Sequence, residues 1–184
     1  MPIHQLIPYT ADLARAMVFI DGENLAIRYA NALKTRNESQ RAHICYQQDT
    51  FVWSTQLMGS GGGTPAVLRK YYYTCVQGDQ PALEDIARRL KELGMEAPRV
   101  FKKEKGRRAK RVDITLATDM LLHAVRKHYD VAVLVAGDED YVPLVHAVQR
   151  EGPRVYVGFF PDGLSPALEI AADLYVDLQP YFFN

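Results

Sequence analysis

Residues 131–141, VAVLVAGDEDY, narrow the possible folds more than any other stretch of the chain. Five consecutive apolar residues, Val131 to Val135, lead through Ala136 and Gly137 into two carboxylates one residue apart, Asp138 and Asp140. A short, β-branched run closed by glycine is the pattern of a strand buried on both faces, as inside a parallel sheet. Tyr141 to Arg150 then has helical spacing. The carboxylates therefore fall at the carboxyl end of a central strand, where open α/β sheets place their ligand sites.

The rest of the chain alternates in the same way. Residues 16–20 (AMVFI) predict a second buried strand, ending in Asp21-Gly22-Glu23-Asn24, and residues 25–33 have helical periodicity. Residues 34–48 read as irregular, after which Asp49 or Thr50 is placed to cap a helix over 51–58. Strands follow at 67–76, 95–101, 131–135, 154–160 and 174–178, separated by helices at 82–93, 114–127, 141–150 and 166–172. Pro81 and Pro166 stand at helix starts, Ser165 is placed to cap the last helix, and Gly94 stands at a helix end. Such alternation predicts a three-layer α/β/α Rossmann-like architecture with a mainly parallel central sheet and right-handed crossovers. At 184 residues and 48% hydrophobic content, one domain over residues 1–184 is expected, with an irregular lead-in at 1–15. Gly59-Ser60-Gly61-Gly62-Gly63 reads as a linker, since it lacks the Lys-Ser/Thr ending of a phosphate loop.

Lys plus Arg equals Asp plus Glu, 22 of each, so overall charge neither requires nor excludes a nucleic-acid partner. Two cysteines, Cys45 and Cys75, are too few for a disulfide framework and lack metal-site spacing, which points to reduced thiols and a cytoplasmic setting. No basic-then-apolar leader and no run near the ~20 apolar residues of a spanning helix is visible, so no membrane partner is expected.

Two strands end in acid: Asp21 after AMVFI, and Asp138 with Asp140 after VAVLVAG. Asp113, at a helix entry, and Asp119, further along that helix, are a third source. Six positions separate these two, roughly 240° around an ideal helix, so both cannot face one site from mid-helix. Two bare carboxylates 4 Å apart repel by roughly 1 kcal/mol in water and about 4 kcal/mol at an effective dielectric of 20. A divalent cation relieves that cost, and an all-oxygen set without His or Cys selects Mg²⁺ or Mn²⁺. Such an ion polarises a phosphodiester and activates water for in-line attack. The adjoining segment 102–111, KKEKGRRAKR, carries Lys102, Lys103, Lys105, Arg107, Arg108, Lys110 and Arg111, and would deliver an RNA backbone to the acids. Tyr71, Tyr72 and Tyr73 are candidate base-stacking rings, or simply strand packing.

FIDGENL at 19–25, KRVDITLATDML at 110–121 and VLVAGDEDYVPLV at 133–145 resemble, in order and spacing, the three acidic motifs of the NYN domain, LabA-like branch, within the PIN-like nucleases. SPALEIAADLYVDL at 165–178 resembles that family's closing helix and strand. The resemblance implies a PIN-like sheet and a Mg²⁺- or Mn²⁺-dependent ribonuclease. It carries metal-holding roles onto Asp21, Asp113, Asp138 and Asp140, and makes Asp119 a further candidate acid. Asn24 matches the motif asparagine, suited to orient water or phosphate, although an Asx cap of the first helix also suits it. Lys110 is placed to contact phosphate. The chain departs from the pattern at Ala136, where Ser is common, and at Tyr141, where Phe is common.

Three activities are weighed against these residues. The first is a metal-dependent ribonuclease using Asp21, Asn24, Asp113, Asp119, Asp138 and Asp140. The second is an RNA-binding or regulatory scaffold of the same fold with little turnover. The third is an aspartyl-phosphate enzyme. Its phosphatase version requires Asp-x-Asp after the first strand, but position 23 is Glu. Its receiver version requires paired acids at the first strand and a lone Asp on another, the reverse of this pattern. The apolar tail Tyr181-Phe182-Phe183 would bury against its own core or form part of a homodimer contact.

Overall fold

The computed structural model describes residues 14–57, 66–103 and 110–184, apart from the side chain of Lys110. Its elements run β1 (Arg15–Asp21), α1 (Gly22–Arg36), β2 (Ile44–Gln47), β3 (Phe51–Ser54), β4 (Ala66–Val76), α2 (Gln80–Glu92) and β5 (Ala97–Lys102). They continue α3 (Lys110–Val125), β6 (Val131–Val135), α4 (Val142–Arg150), β7 (Arg154–Phe159), α5 (Pro166–Ala171), β8 (Leu174–Asp177) and α6 (Gln179–Phe183).

Six strands form one sheet in the order β5-β4-β1-β6-β7-β8, and every neighbouring pair is parallel. The chain winds outward from β1 through β4 to β5, then crosses back to lay β6 on the other side of β1. The β1/β6 boundary is thus the topological switch point, and the crevice beyond its carboxyl ends is where this architecture binds ligands. Ile20 is in register with Val135, so the chain leaves both strands at the same height.

Side-chain alternation then decides which face each acid meets. Ala16, Val18 and Ile20 pack into the core on the α1 side, with Val131, Val133 and Val135 of β6. Met17 and Phe19 pack on the opposite face with Ala132, Leu134 and the helix residues Val112, Leu116 and Val145. Asp21 continues the odd-numbered series. It therefore points toward α3 and α4, the face to which Asp113 belongs.

The expected helix over 51–58 is instead the strand β3, antiparallel to β2, followed by a single 3₁₀ turn at Thr55–Leu57. Asp49 adopts φ 52°, and Thr50 donates its N–H to the Gln47 carbonyl and its hydroxyl to that of Gln48. The two residues read as caps are hairpin-turn residues. The same short polar side chains serve both purposes, and the run Phe-Val-Trp buries too completely for a one-sided helix. Ser165 also does not cap α5 with its side chain; its N–H donates to the Gly137 carbonyl at 2.8 Å, and its buried hydroxyl has no hydrogen-bond partner among the described residues. At the other end of α2 the expectation stands, with Gly94 at φ 79° and Met95 N–H returning to the Leu90 carbonyl.

The apolar tail forms α6, missed in the sequence. Phe182 and Phe183 bury against Tyr29, Trp53 and Phe160 of the same chain, and the Arg36 guanidinium lies 4.4 Å over the Phe183 ring. The tail thus gives no argument for a second subunit. Among the described residues no helix is long and apolar enough to cross a membrane.

Tyr71, Tyr72 and Tyr73 are all buried, so their faces are closed to bases. Tyr71 stacks between Phe19 and Tyr73. The Tyr72 hydroxyl donates to the Val52 carbonyl and accepts from the Val52 N–H, both at 3.0 Å, fastening the hairpin to the main sheet. Removing that hydroxyl strands both backbone groups in a dry environment. Tyr72→Phe is therefore expected to cost about 1–3 kcal/mol in urea unfolding without a change in m-value. A cost within error would show that water replaces the hydroxyl.

Candidate metal and phosphate site

Asp21 ends β1 and caps α1: its Oδ1 accepts the Asn24 N–H at 3.1 Å, the usual satisfaction of an orphan helix donor. With its backbone N–H taken by Asp21, Asn24 is not the cap. Its side-chain amide turns outward and donates Nδ2 to Asp138 Oδ2 at 2.6 Å. Asp138 makes no capping hydrogen bond to the 3₁₀ turn that follows it, so its ordinary role at a helix start is not in use. The ends of β1 and β6 are thereby linked through one amide.

Asp113 reaches the same place from the first turn of α3. Tyr141 lies between it and Asp21, its phenol oxygen 2.9 Å from Asp21 Oδ2 and 3.3 Å from Asp113 Oδ1. Three acids from three separate motifs, Asp21, Asp113 and Asp138, thus converge through two neutral side chains. Asp140 is exposed on the rim, close enough for its charge to act on Asp113. Asp119 is not part of this group. It accepts from the Tyr73 hydroxyl at 3.0 Å and pairs with Arg99 at 3.5 Å, on another side of α3 as the helical angle requires.

Electrostatics follow burial. Asp21 is 3% exposed, and its carboxyl is pushed up to about 7, first by loss of water and then by the charges of Asp113 and Asp138; the Asn24 N–H and the Tyr141 hydroxyl oppose the rise. Asp113 is raised by the same loss of water, with Asp138, Glu23 and Asp140 adding to it and Tyr141 opposing. The Tyr141 phenol is raised by burial and by both carboxylates, so it remains a neutral donor.

Two residues outside the expected set take part. Glu23 bonds Lys103, whose ammonium is held charged by that contact. The Lys103 N–H also donates to the Val76 carbonyl at 2.8 Å, fixing the end of β5 beside the acids. Cys75 lies on the same face of β4, its thiol pushed up to about 11 by burial and then by Glu23. Of the expected phosphate contacts, Lys102 and Arg111 are exposed, whereas Lys103 is committed to Glu23. Lys105, Arg107, Arg108 and the side chain of Lys110 lie outside the described residues.

The donor chemistry fits a hard cation. The converging acids are all oxygen donors, and Asn24 Oδ1 is buried with no hydrogen-bond partner among the described residues. Among the described residues no three His, Cys, Asp or Glu side chains already close into a metal cage. The acids are gathered, but each is held by a neutral group.

Comparison with known proteins bears on the fold and the family. A solved structure of a protein of unknown function from Vibrio parahaemolyticus shares the fold, with a TM-score of 0.66 at 20% identity over 95% of this chain and 99% of that one. No match was found among curated proteins. The family model described as the NYN domain matches residues 15–179, from the first residue of β1 to the first of α6. Since that match takes in all six strands of the sheet and all three acidic motifs, the chain belongs to the NYN domain family, within the PIN-like superfamily.

Proposed function

We propose that the chain is a Mg²⁺- or Mn²⁺-dependent ribonuclease that hydrolyses RNA phosphodiester bonds at the crevice beyond β1 and β6. NYN domains are generally nucleases, which supports the reaction class. The observation that carries the reading is the convergence of Asp21, Asp113 and Asp138 through Asn24 and Tyr141, with Asn24 Oδ1 left without a partner among the described residues. Asp21, Asp113 and Asp138 would hold the ion, with Asp140 at its open side. A bound divalent ion supplies Lewis acidity that polarises the phosphodiester and makes water a stronger nucleophile. The buried Asp21 fixes the inner end of the site, and Asn24 orients Asp138 without adding charge. The Glu23–Lys103 pair anchors one end of the basic segment next to the acids, and Arg111 marks the other. Lys102 and Arg111 are the described cations free to meet phosphates, and a cytoplasmic RNA substrate suits the reduced Cys45 and Cys75.

A second reading, an RNA-binding scaffold with little turnover, draws on the absence of a closed cage among the described residues. Labelled single-stranded and hairpin RNAs incubated with Mn²⁺ separate the two. Cleavage is expected, stopped by EDTA and lowered at least ~100-fold in Asp138→Asn with RNA binding retained. Binding by the wild type with no cleavage in Mg²⁺ or Mn²⁺ supports the scaffold instead.

A further inference from the structure

Tyr141 places a hydroxyl inside the acid cluster. A phenol carries one proton, yet Tyr141 faces two carboxylates, at 2.9 Å and 3.3 Å. The ring is buried among the residues of the α3–α4 core, so the hydroxyl cannot swing out to solvent without moving that packing. The facing oxygens, Asp21 Oδ2 and Asp113 Oδ1, look toward each other across it. An ion that ligates both acids through these two oxygens competes with the phenol for the lone pairs its hydroxyl now engages.

We propose that Tyr141 is a built-in competitor for the divalent ion: its hydroxyl joins Asp21 to Asp113 in the metal-free protein and gives up at least one of those contacts when metal binds. This rests on the metal-dependent reading above. The physical consequence is a trade. The hydroxyl offsets part of the repulsion between buried Asp21 and exposed Asp113, which keeps the empty site folded and its acids in place. The same contact subtracts from metal affinity, because hydrogen bonds to charged acceptors are among the stronger ones and must be broken first. Tyr141 is thus a positioning residue that sets how readily the site fills, and it touches no substrate.

Tyr141→Phe removes the hydroxyl and keeps the ring, so the core packing is retained. Mn²⁺ binding by calorimetry is compared for wild type, Tyr141→Phe and Asp138→Asn, alongside melting temperatures in EDTA and in saturating Mn²⁺. Tyr141→Phe is expected to bind Mn²⁺ roughly tenfold more tightly. Its melting temperature should fall in EDTA, while its rise on adding Mn²⁺ should exceed that of the wild type. A purely structural role lowers the melting temperature equally with and without metal and leaves affinity unchanged. Equal or weaker affinity in Tyr141→Phe, with wild type binding and Asp138→Asn not, overturns the competitor role alone. No Mn²⁺ binding by any of the three overturns it together with the metal-dependent reading.

Discussion

Asp21→Asn is expected to abolish cleavage and yet melt higher than the wild type in EDTA at pH 8. Folding raises the Asp21 carboxyl from 3.8 to about 7, so the folded state binds its proton more tightly than the unfolded state does. Below pH 4 the group is protonated in both states and imposes no penalty. As pH climbs from 4 through 7, the unfolded chain releases the proton first and stability is lost; above 7 the loss is complete. At about 1.4 kcal/mol per unit, the full loss is on the order of 4 kcal/mol. An asparagine escapes it, and the local hydrogen bonds survive the exchange. The amide oxygen keeps the Asn24 N–H, the amide nitrogen donates to the Tyr141 oxygen, and Tyr141 turns its proton to Asp113. Differential scanning fluorimetry from pH 4 to 8 in EDTA should show the two proteins coinciding near pH 4. They should then separate by on the order of 10 °C at pH 8. The variant keeps a shallower slope of its own, because Asp113 is raised as well. Mn²⁺ should stabilise the wild type and leave the variant unmoved. An Asp21→Asn protein that melts lower than wild type at pH 8 would falsify the account, marking Asp21 as a structural acceptor whose charge the fold needs.

How far this site was legible before folding depends on the sequence distance over which each contact acts. The strands β1 and β6 announce themselves by uninterrupted apolar runs, and a parallel sheet then fixes that Asp21 and Asp138 leave it at one edge. Asp113 and Asp119 are sorted by helix geometry alone, since six residues of helix point them to different neighbours. What binds the acids to one another was not legible. The Tyr141 hydroxyl meets a carboxylate 120 residues away, and Lys103 meets Glu23 across 80. Neither contact has a local pattern. The hairpin β2–β3 failed for the opposite reason. Its local signals were strong but shared, because Asp49 and Thr50 suit a helix cap and a tight turn equally. Only the burial of Phe51, Val52 and Trp53 against α1, β4 and α6 decides between them.

The glycines of the two strand-end motifs point to a second large effect, and space rather than backbone angle is the reason. A methyl group added at Gly137 would stand 2.4 Å from the Gly163 carbonyl oxygen and 2.4 Å from the Phe159 ring. A backbone oxygen cannot be displaced cheaply, and the Gly137 carbonyl is itself tied to the Ser165 N–H at 2.8 Å. The strain in Gly137→Ala must therefore be relieved by the segment that carries Asp138. We expect a loss of about 3 kcal/mol, near the upper end for overpacking, and a fall in melting temperature of roughly 6–12 °C. Protein that remains folded at 25 °C should cleave RNA about 100-fold more slowly, the effect of displacing a reacting group by an ångström. Gly158→Ala is the control. It lies in β7, where the nearest atoms to an added Cβ are those of the Leu178 side chain at 3.5 Å, an ordinary contact. It should leave both stability and cleavage near wild type. If Gly137→Ala lost stability alone, with cleavage by the folded fraction unchanged, the loop would be packing that leaves Asp138 in place. Loss of both, with Gly158→Ala silent, ties the close packing of β6 on β7 to the position of the carboxylate that Asn24 holds.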